Sequence, residues 1–241
     1  HSRTPALGML FCSMPQPIAV VTGASRGIGR AIALRLAGDF EIVAAARSGE
    51  ELESLAQEIE SRGGACRPRA VDLTDPAAVR AALGDVDAQV LINNAGVGML
   101  KPFMELTRDE WTRMVSLNFT ALYDVTRAVV PPMIARNSGH IVMIGSISGR
   151  SAFVGGTCYA ATKAAVNSLA ESLMLELRDS GVKVSVINPG SVATHFSDRA
   201  DSSWMLAPED VANAVAAVVS TPPTVLMHRV EVRTLTVPKK K

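Results

Sequence analysis

Ile18-Ala19-Val20-Val21-Thr22-Gly23-Ala24-Ser25-Arg26-Gly27-Ile28-Gly29-Arg30-Ala31-Ile32-Ala33-Leu34-Arg35-Leu36 reads as a strand, a glycine turn and a helix in one run. Its first four residues are aliphatic without alternation, as in a strand covered on both faces. Apolar residues then recur at 28, 32, 33 and 36, which is helical spacing. Between the two, Gly23, Gly27 and Gly29 permit a tight turn and close approach of a diphosphate to the backbone. The helix start adds free N–H groups and the positive end of its dipole. The spacing is GxxxGxG rather than the common GxGxxG. Taken alone it also fits a glycine loop that binds nothing.

The same alternation continues outward. Further strands are expected at Ile42–Ala45, ending near Val71, at Val90–Ile92, Ile141–Ile144, Val182–Ile187 and Val225–Val232. Helices are expected at Glu50–Ile59, from Asp75-Pro76, over Thr107–Met133, Tyr159–Leu177 and Pro208–Val219. Gly63-Gly64 and Ser180-Gly181 serve as stops, Asp75 as a cap followed by a first-turn proline, and Thr107 to Glu110 as a capping box. Pro131-Pro132 marks the last turn of the long helix or a kink in it. Alternating strands and helices imply an α/β fold: a Rossmann-type, doubly wound, mostly parallel sheet with helices on both faces. No repeat or linker divides it, so one domain is expected over residues 17–234. Residues 1–16 then form an N-terminal extension or added remnant, and 235–241 a basic tail.

Composition excludes several classes. The 241 residues carry 24 Lys+Arg against 23 Asp+Glu, too balanced for a dedicated nucleic-acid or anionic-membrane binder. With 20% charged and 48% hydrophobic residues the chain is not a disordered one. Mean hydropathy is +0.22, yet no apolar run approaches the roughly 18 residues of a spanning helix. Cys12, Cys66 and Cys158 lack zinc-ligand spacing, so no metal is expected; they read as reduced thiols of a cytoplasmic protein. The apolar run 6–12 is broken by Gly8 and lacks the length of a signal-peptide core.

In doubly wound sheets, ligands bind beyond the carboxyl ends of the strands. The second strand ends Ala45-Ala46-Arg47-Ser48, without the acid that usually meets a ribose 2′-hydroxyl. Arg26 and Arg47 are either two solvated guanidinium groups or a pair that forks a 2′-phosphate. With the acid missing, the second reading is preferred, and NADP(H) with it. Asp72, followed by Leu73, either accepts from an adenine amino group or caps a turn. Asn93-Asn94-Ala95-Gly96 either ties neighbouring loops and leaves room for a cofactor or is a plain turn. Tyr159 and Lys163, four positions apart, share a helix face. An ammonium there is expected to lower the phenol's pKa from about 10 and make it an acid or base. Ser146, just past the fifth strand, can bond the same reacting oxygen. Asn118 is a mediocre helix former inside a helix, and can link Lys163 to water.

As a set, these pieces resemble the short-chain dehydrogenase/reductase family from Pro17 to about Val232. The matching stretches are Thr22 to Gly29, Asn93 to Gly96, Asn118, Ser146, Tyr159 to Lys163, and Pro189-Gly190 followed by Thr194. The resemblance implies a seven-stranded sheet in the order 3-2-1-4-5-6-7, a sequential NAD(P)-dependent reaction without metal, and a homodimer or homotetramer. It implies that Tyr159 donates or accepts the proton and that Lys163 lowers its pKa and holds the nicotinamide ribose. Ser146 then polarises a substrate carbonyl and Asn118 supports the relay. It places Gly23, Ser25, Arg26, Gly27, Ile28, Gly29, Arg47, Asp72, Leu73, Asn94, Ala95, Gly96, Tyr159, Lys163, Pro189, Gly190, Val192 and Thr194 on the cofactor, with Ile187 beside them.

The expected reaction interconverts a ketone or aldehyde and an alcohol with NADP(H). Phe196, Trp204, Met205 and Leu206 suggest an apolar lid, and Phe153, Met99 and Cys158 further wall positions. Relatives acting as 3-oxoacyl-carrier-protein reductases usually end in a glycine-rich segment. No glycine follows Gly190 here, which resembles relatives acting on small 3-hydroxy acids or assorted ketones. A non-catalytic NADP-binding sensor or scaffold would typically have a damaged tyrosine or lysine, and both are intact. A nucleotide-sugar epimerase or dehydratase expects a larger substrate region.

Overall fold

The structure, a computed structural model, describes residues 16–194 and 203–236. Seven strands form one sheet: β1 Ile18–Thr22, β2 Glu41–Ala46, β3 Cys66–Ala70, β4 Val90–Asn93, β5 Gly139–Ile144, β6 Val182–Pro189 and β7 Arg229–Val232. Their order is β3-β2-β1-β4-β5-β6-β7 and every pairing is parallel. This is the doubly wound sheet expected, in the order the resemblance implied. Order reverses between β1 and β4, so a crevice opens beyond their carboxyl ends.

The helices are α1 Gly27–Leu36, α2 Gly49–Ser61, α3 Pro76–Leu83, α4 Arg108–Val115, α5 Ala121–Val129, α6 Pro131–Ala135, α7 Thr157–Leu177 and α8 Pro208–Val219. Successive strand residues feed opposite cores. Ala19 and Val21 pack with Ile32, Leu55 and Val215 from α1, α2 and α8. Val20 packs with Leu83, Val125 and Val166 from α3, α5 and α7 on the other face. Two buried faces explain why the strands read as aliphatic runs without alternation. The expected caps are present. Asp75 accepts from the N–H groups of Ala77 and Ala78 at 2.8 and 3.2 Å, with Pro76 in the first turn. Thr107 and Glu110 close a reciprocal capping box.

Two elements differ from expectation. The helix expected over Thr107–Met133 is interrupted. Ser116–Thr120 forms a π turn around Asn118, and Pro131-Pro132, which lack N–H donors, begin the short α6. The last strand is shorter than Val225–Val232, spanning Arg229–Val232 only. Upstream of it the Lys183 ammonium holds the carbonyls of Thr221, Pro222 and Val225 at 3.0, 3.3 and 3.4 Å, the last of which lies in the expected strand and is thereby bound to a side chain. Among the described residues no helix is long and apolar enough to cross a membrane.

Candidate active site

The selected residues gather at the carboxyl ends of the strands. Gly23 follows β1, Arg47 β2, Asp72 β3, Asn94 β4, Ser146 β5, and Pro189 closes β6. The glycine turn is held shut from β4. Thr22 is buried and its hydroxyl donates to the Ile92 carbonyl at 3.2 Å while accepting from the N–H groups of Asn94 and Ala95 at 3.0 and 3.2 Å. The Asn94 amide returns a bond to the Thr22 carbonyl at 2.9 Å. Gly23 has φ +65°, and a Cβ on Gly29 would lie 2.1 Å from the Gly23 carbonyl oxygen. Gly29→Ala is therefore expected to strain the turn by about 1–3 kcal/mol, read as a lowered Tm together with weakened dinucleotide binding.

This turn fits a diphosphate. The N-cap of α1 is Arg26, extended at φ −155°, with no side-chain cap and no acid in the first turn. Its N–H groups thus remain for an anion. Thr194 lies against the turn, its Cγ2 3.4 Å from where a Gly27 Cβ would be. The segment leading to it is fixed by Gly190 N–H to the Val232 carbonyl at 2.8 Å and Ala193 N–H to the Leu206 carbonyl at 2.8 Å, the latter beside a bridge between Val192 and Leu206.

Beyond the ends of β2 and β3, against α4, is a cavity of about 460 Å³ lined by Arg47, Asp72, Thr74, Arg113, Ser116 and Leu117 among others. Arg26 and Arg47 are both exposed. Asp72 is held below its ordinary pKa, first by the Thr74 backbone N–H, then by the Thr74 hydroxyl, with the Arg47 charge adding to both. Both Thr74 bonds fall on Oδ1, at 2.9 and 2.8 Å, so Asp72 also makes the turn expected of it as a cap. Leu73 is 4% exposed and packed in the core; what it can offer a ligand is its backbone. Ser25 and Ile28 are half-buried along the turn, and Ile187 is fully buried at the end of β6.

Across the crevice, Ser146 caps the 3₁₀ turn Ile147–Gly149, its hydroxyl oxygen accepting from the Ser148 N–H at 3.1 Å. Its own proton bonds the Tyr159 oxygen, favouring the phenolate. Burial acts the other way and is larger, so the phenol lies above its ordinary pKa. The pairing with Lys163 led to the opposite expectation. The ammonium is 5.9 Å from the ring centroid, and it is buried itself. Desolvation brings Lys163 down to about 8, and its Nζ donates to the Ile144 carbonyl at 2.8 Å.

Asn118 is 1% exposed. Its side chain clasps Val97, accepting from its N–H and donating to its carbonyl at 2.8 Å each, and donates to the Thr162 hydroxyl at 3.1 Å. The amide thereby joins the β4 loop to α7, one residue from Lys163. Thr162 and Thr22 are parts of the site that the motif reading did not single out, although each lies inside a quoted motif. Cys158 turns toward α4, its thiol 3.9 Å from the Trp111 carbonyl. Phe153 is 40% exposed, Trp204 and Met205 are half-buried and Leu206 is buried. Phe196 lies outside the described residues. No cluster of three metal-ligating side chains occurs among the described residues.

Residues 17–203 match the short chain dehydrogenase family. The chain belongs to that family. It is 38% identical over 210 residues to the oxidoreductase UcpA of Escherichia coli K12, covering 83% of this chain and 79% of that one. It is 34% identical over 239 residues to the NADP-dependent 3-hydroxy acid dehydrogenase YdfG of Salmonella typhi, covering 91% and 95%. Among solved structures, a metagenomic short-chain oxidoreductase in complex with NADP matches at TM-score 0.82 and 34% identity, over 92% of this chain and 99% of that one. A 3-oxoacyl-carrier-protein reductase of Brucella melitensis with bound NAD matches at TM-score 0.84 and 28% identity, over 92% and 91%. This short-chain dehydrogenase is thus an oxidoreductase of that family.

Proposed function

We propose that this oxidoreductase interconverts a ketone or aldehyde and an alcohol with NADP(H), using Tyr159 as acid and base. The observation that carries the reading is the Ser146–Tyr159 hydrogen bond, with Lys163 beneath the same ring, just past the carboxyl end of β5. The turn Gly23 to Gly29 would hold the diphosphate, and Arg26 and Arg47 the 2′-phosphate. Asp72 and Leu73 would meet the adenine, Asn94, Ala95 and Gly96 the middle of the molecule, and Pro189, Gly190, Val192 and Thr194 the nicotinamide end. When bound, that ring supplies or accepts the hydride.

In the reductive direction Ser146 donates toward the carbonyl oxygen and stabilises the charge that develops on it. Tyr159, a phenol already protonated at neutral pH and pushed further from ionisation by burial, gives that oxygen its proton. Lys163, charged below about 8, stabilises the phenolate left behind and can hold the nicotinamide ribose. Asn118 fixes the loop and helix that frame the proton path. We place the protein in the cytoplasm as a homodimer or homotetramer, acting on small carbonyl compounds.

The test is steady-state turnover with NADPH and NADH against ketones, 3-oxo acids, 3-oxoacyl thioesters, diketones and quinones. At least a tenfold preference for NADPH is expected, and the reverse preference would overturn the cofactor assignment. NADPH binding without turnover on any compound would favour a sensor. A 3-oxoacyl-carrier-protein reductase is the alternative substrate reading, favoured by the match to the Brucella melitensis enzyme. Preference for the thioester would select it. Arg47→Asp removes a charge-assisted fork of about 1.5–3 kcal/mol and repels phosphate. We expect kcat/KM with NADPH to fall by about 10–100-fold, as those energies convert, while NADH is left within a few-fold.

A further inference from the structure

We propose that Asn188 is a positioning residue for the Ser146 hydroxyl, an inference that rests on the reading of Ser146 as the group that meets the substrate oxygen. The sheet itself stops holding β5 one residue before Ser146. Gly145 N–H donates to the Ile187 carbonyl at 2.8 Å, and two residues further along β6 stands Pro189, which has no N–H to return. The next N–H beyond β5, that of Ser146, takes a side chain instead: Asn188 Oδ1 accepts from it at 2.9 Å.

Asn188 is fully buried, and its Nδ2 has no partner among the described residues. An asparagine kept there at the cost of a buried, unpaired donor is spent on that one acceptor bond. Gly145 gives it room: a Cβ on Gly145 would lie 2.2 Å from Asn188 Oδ1. The 3₁₀ turn that follows has little slack either. A Cβ on Gly149 would lie 2.5 Å from the Asn167 amide nitrogen and 2.7 Å from the Lys163 carbonyl oxygen. Arg150, which ends that turn, reaches Glu231 at 3.3 Å, the residue paired with Asn188 across β6 and β7. Ser146 is thus fixed from its backbone side by Asn188 and from its hydroxyl side by the Ser148 N–H. Its proton is left for the Tyr159 oxygen and the substrate.

A double-mutant cycle on the full chain tests this, using NADPH and the best carbonyl of the panel. Ser146→Ala is expected to lower kcat at least tenfold. Asn188→Ala is expected to lower kcat about tenfold with NADPH affinity, read by fluorescence titration, within twofold of the parent. In the Ser146→Ala background, Asn188→Ala is expected to change kcat less than twofold, because its effect passes through the missing hydroxyl. An equal loss in both backgrounds, or none in the parent, overturns the positioning role and leaves the catalytic reading intact. Full activity of Ser146→Ala overturns that reading and the proposal with it. Should Asn188→Ala not fold, Gly145→Ala displaces the same amide with its chemistry retained and is judged by the same two-background comparison.

Discussion

Tyr159→Phe is expected to lower kcat/KM by between about 10² and 10⁴, the usual worth of a positioned acid or base, while NADPH still binds. The substitution removes one oxygen from a ring that remains wedged over Lys163. It takes away the acceptor of the Ser146 proton and the donor for the carbonyl oxygen together. The proposed cradle for the diphosphate is built from β1, β4 and α1, whereas Tyr159 stands on α7, so binding and turnover should separate. Fluorescence titration with NADPH beside steady-state reduction measures both. Turnover within threefold of the parent would remove Tyr159 from the chemistry. A loss of binding equal to the loss of turnover would assign it to the cofactor site alone. The pH dependence has a definite sign as well. Burial raises the phenol's pKa, so reduction, which needs the protonated phenol, should hold through neutral pH. Oxidation of the alcohol, which needs the phenolate, should climb on the alkaline side.

The fold was legible because both kinds of element announce themselves locally. Ile18 to Leu36 holds strand, turn and helix within one stretch, and Asp75-Pro76 and Thr107 to Glu110 carry their caps in sequence. What was not legible depends on contacts between distant segments. The π turn around Asn118 follows from an amide committed to Val97 and Thr162, 21 and 44 positions away. The shortened β7 goes with a contact of Lys183, whose ammonium binds the Val225 carbonyl 42 positions away at 3.4 Å. At the site, motif spacing picked out the residues proposed to meet the cofactor and the substrate. It could not show Thr22 or Asn188, whose work is to hold those residues in place. The sign of the Tyr159 shift needed the structure too, because helical spacing reveals a neighbouring ammonium and says nothing of how deeply both groups are buried.

That depth gives Lys163 a measurable signature in stability. Its folded pKa of about 8 lies below the ordinary 10.5. Between those values the unfolded chain binds more protons than the folded one, so stability rises with pH across that window. The contribution is fully present above 10.5 and gone below about 8, where the buried ammonium opposes folding. That gap corresponds to about 3 kcal/mol. Lys163→Met deletes this titration while keeping the aliphatic stem. The substitution also leaves the Ile144 carbonyl without its ammonium donor, which costs about 1 kcal/mol or somewhat more. At pH 7 the variant should therefore be more stable than the parent by about 1–2 kcal/mol, yet turn over at least a hundredfold more slowly for want of a cation beside the phenolate. Between pH 8 and 10.5 the difference should shrink and change sign. Cys66, pushed up to about 11 by burial and nearby glutamates, and Lys183 also titrate on the alkaline side. They do so in both proteins. Tyr159, whose folded pKa lies above its ordinary 10, adds its own titration only above that value. Up to about pH 10 the difference between the two denaturation curves therefore reports Lys163. Parallel curves would mean that its ammonium is not buried as the structure has it. A variant less stable at pH 7 would mean that the bond to Ile144 outweighs desolvation, and that the enzyme does not hold a destabilising charge in place for catalysis.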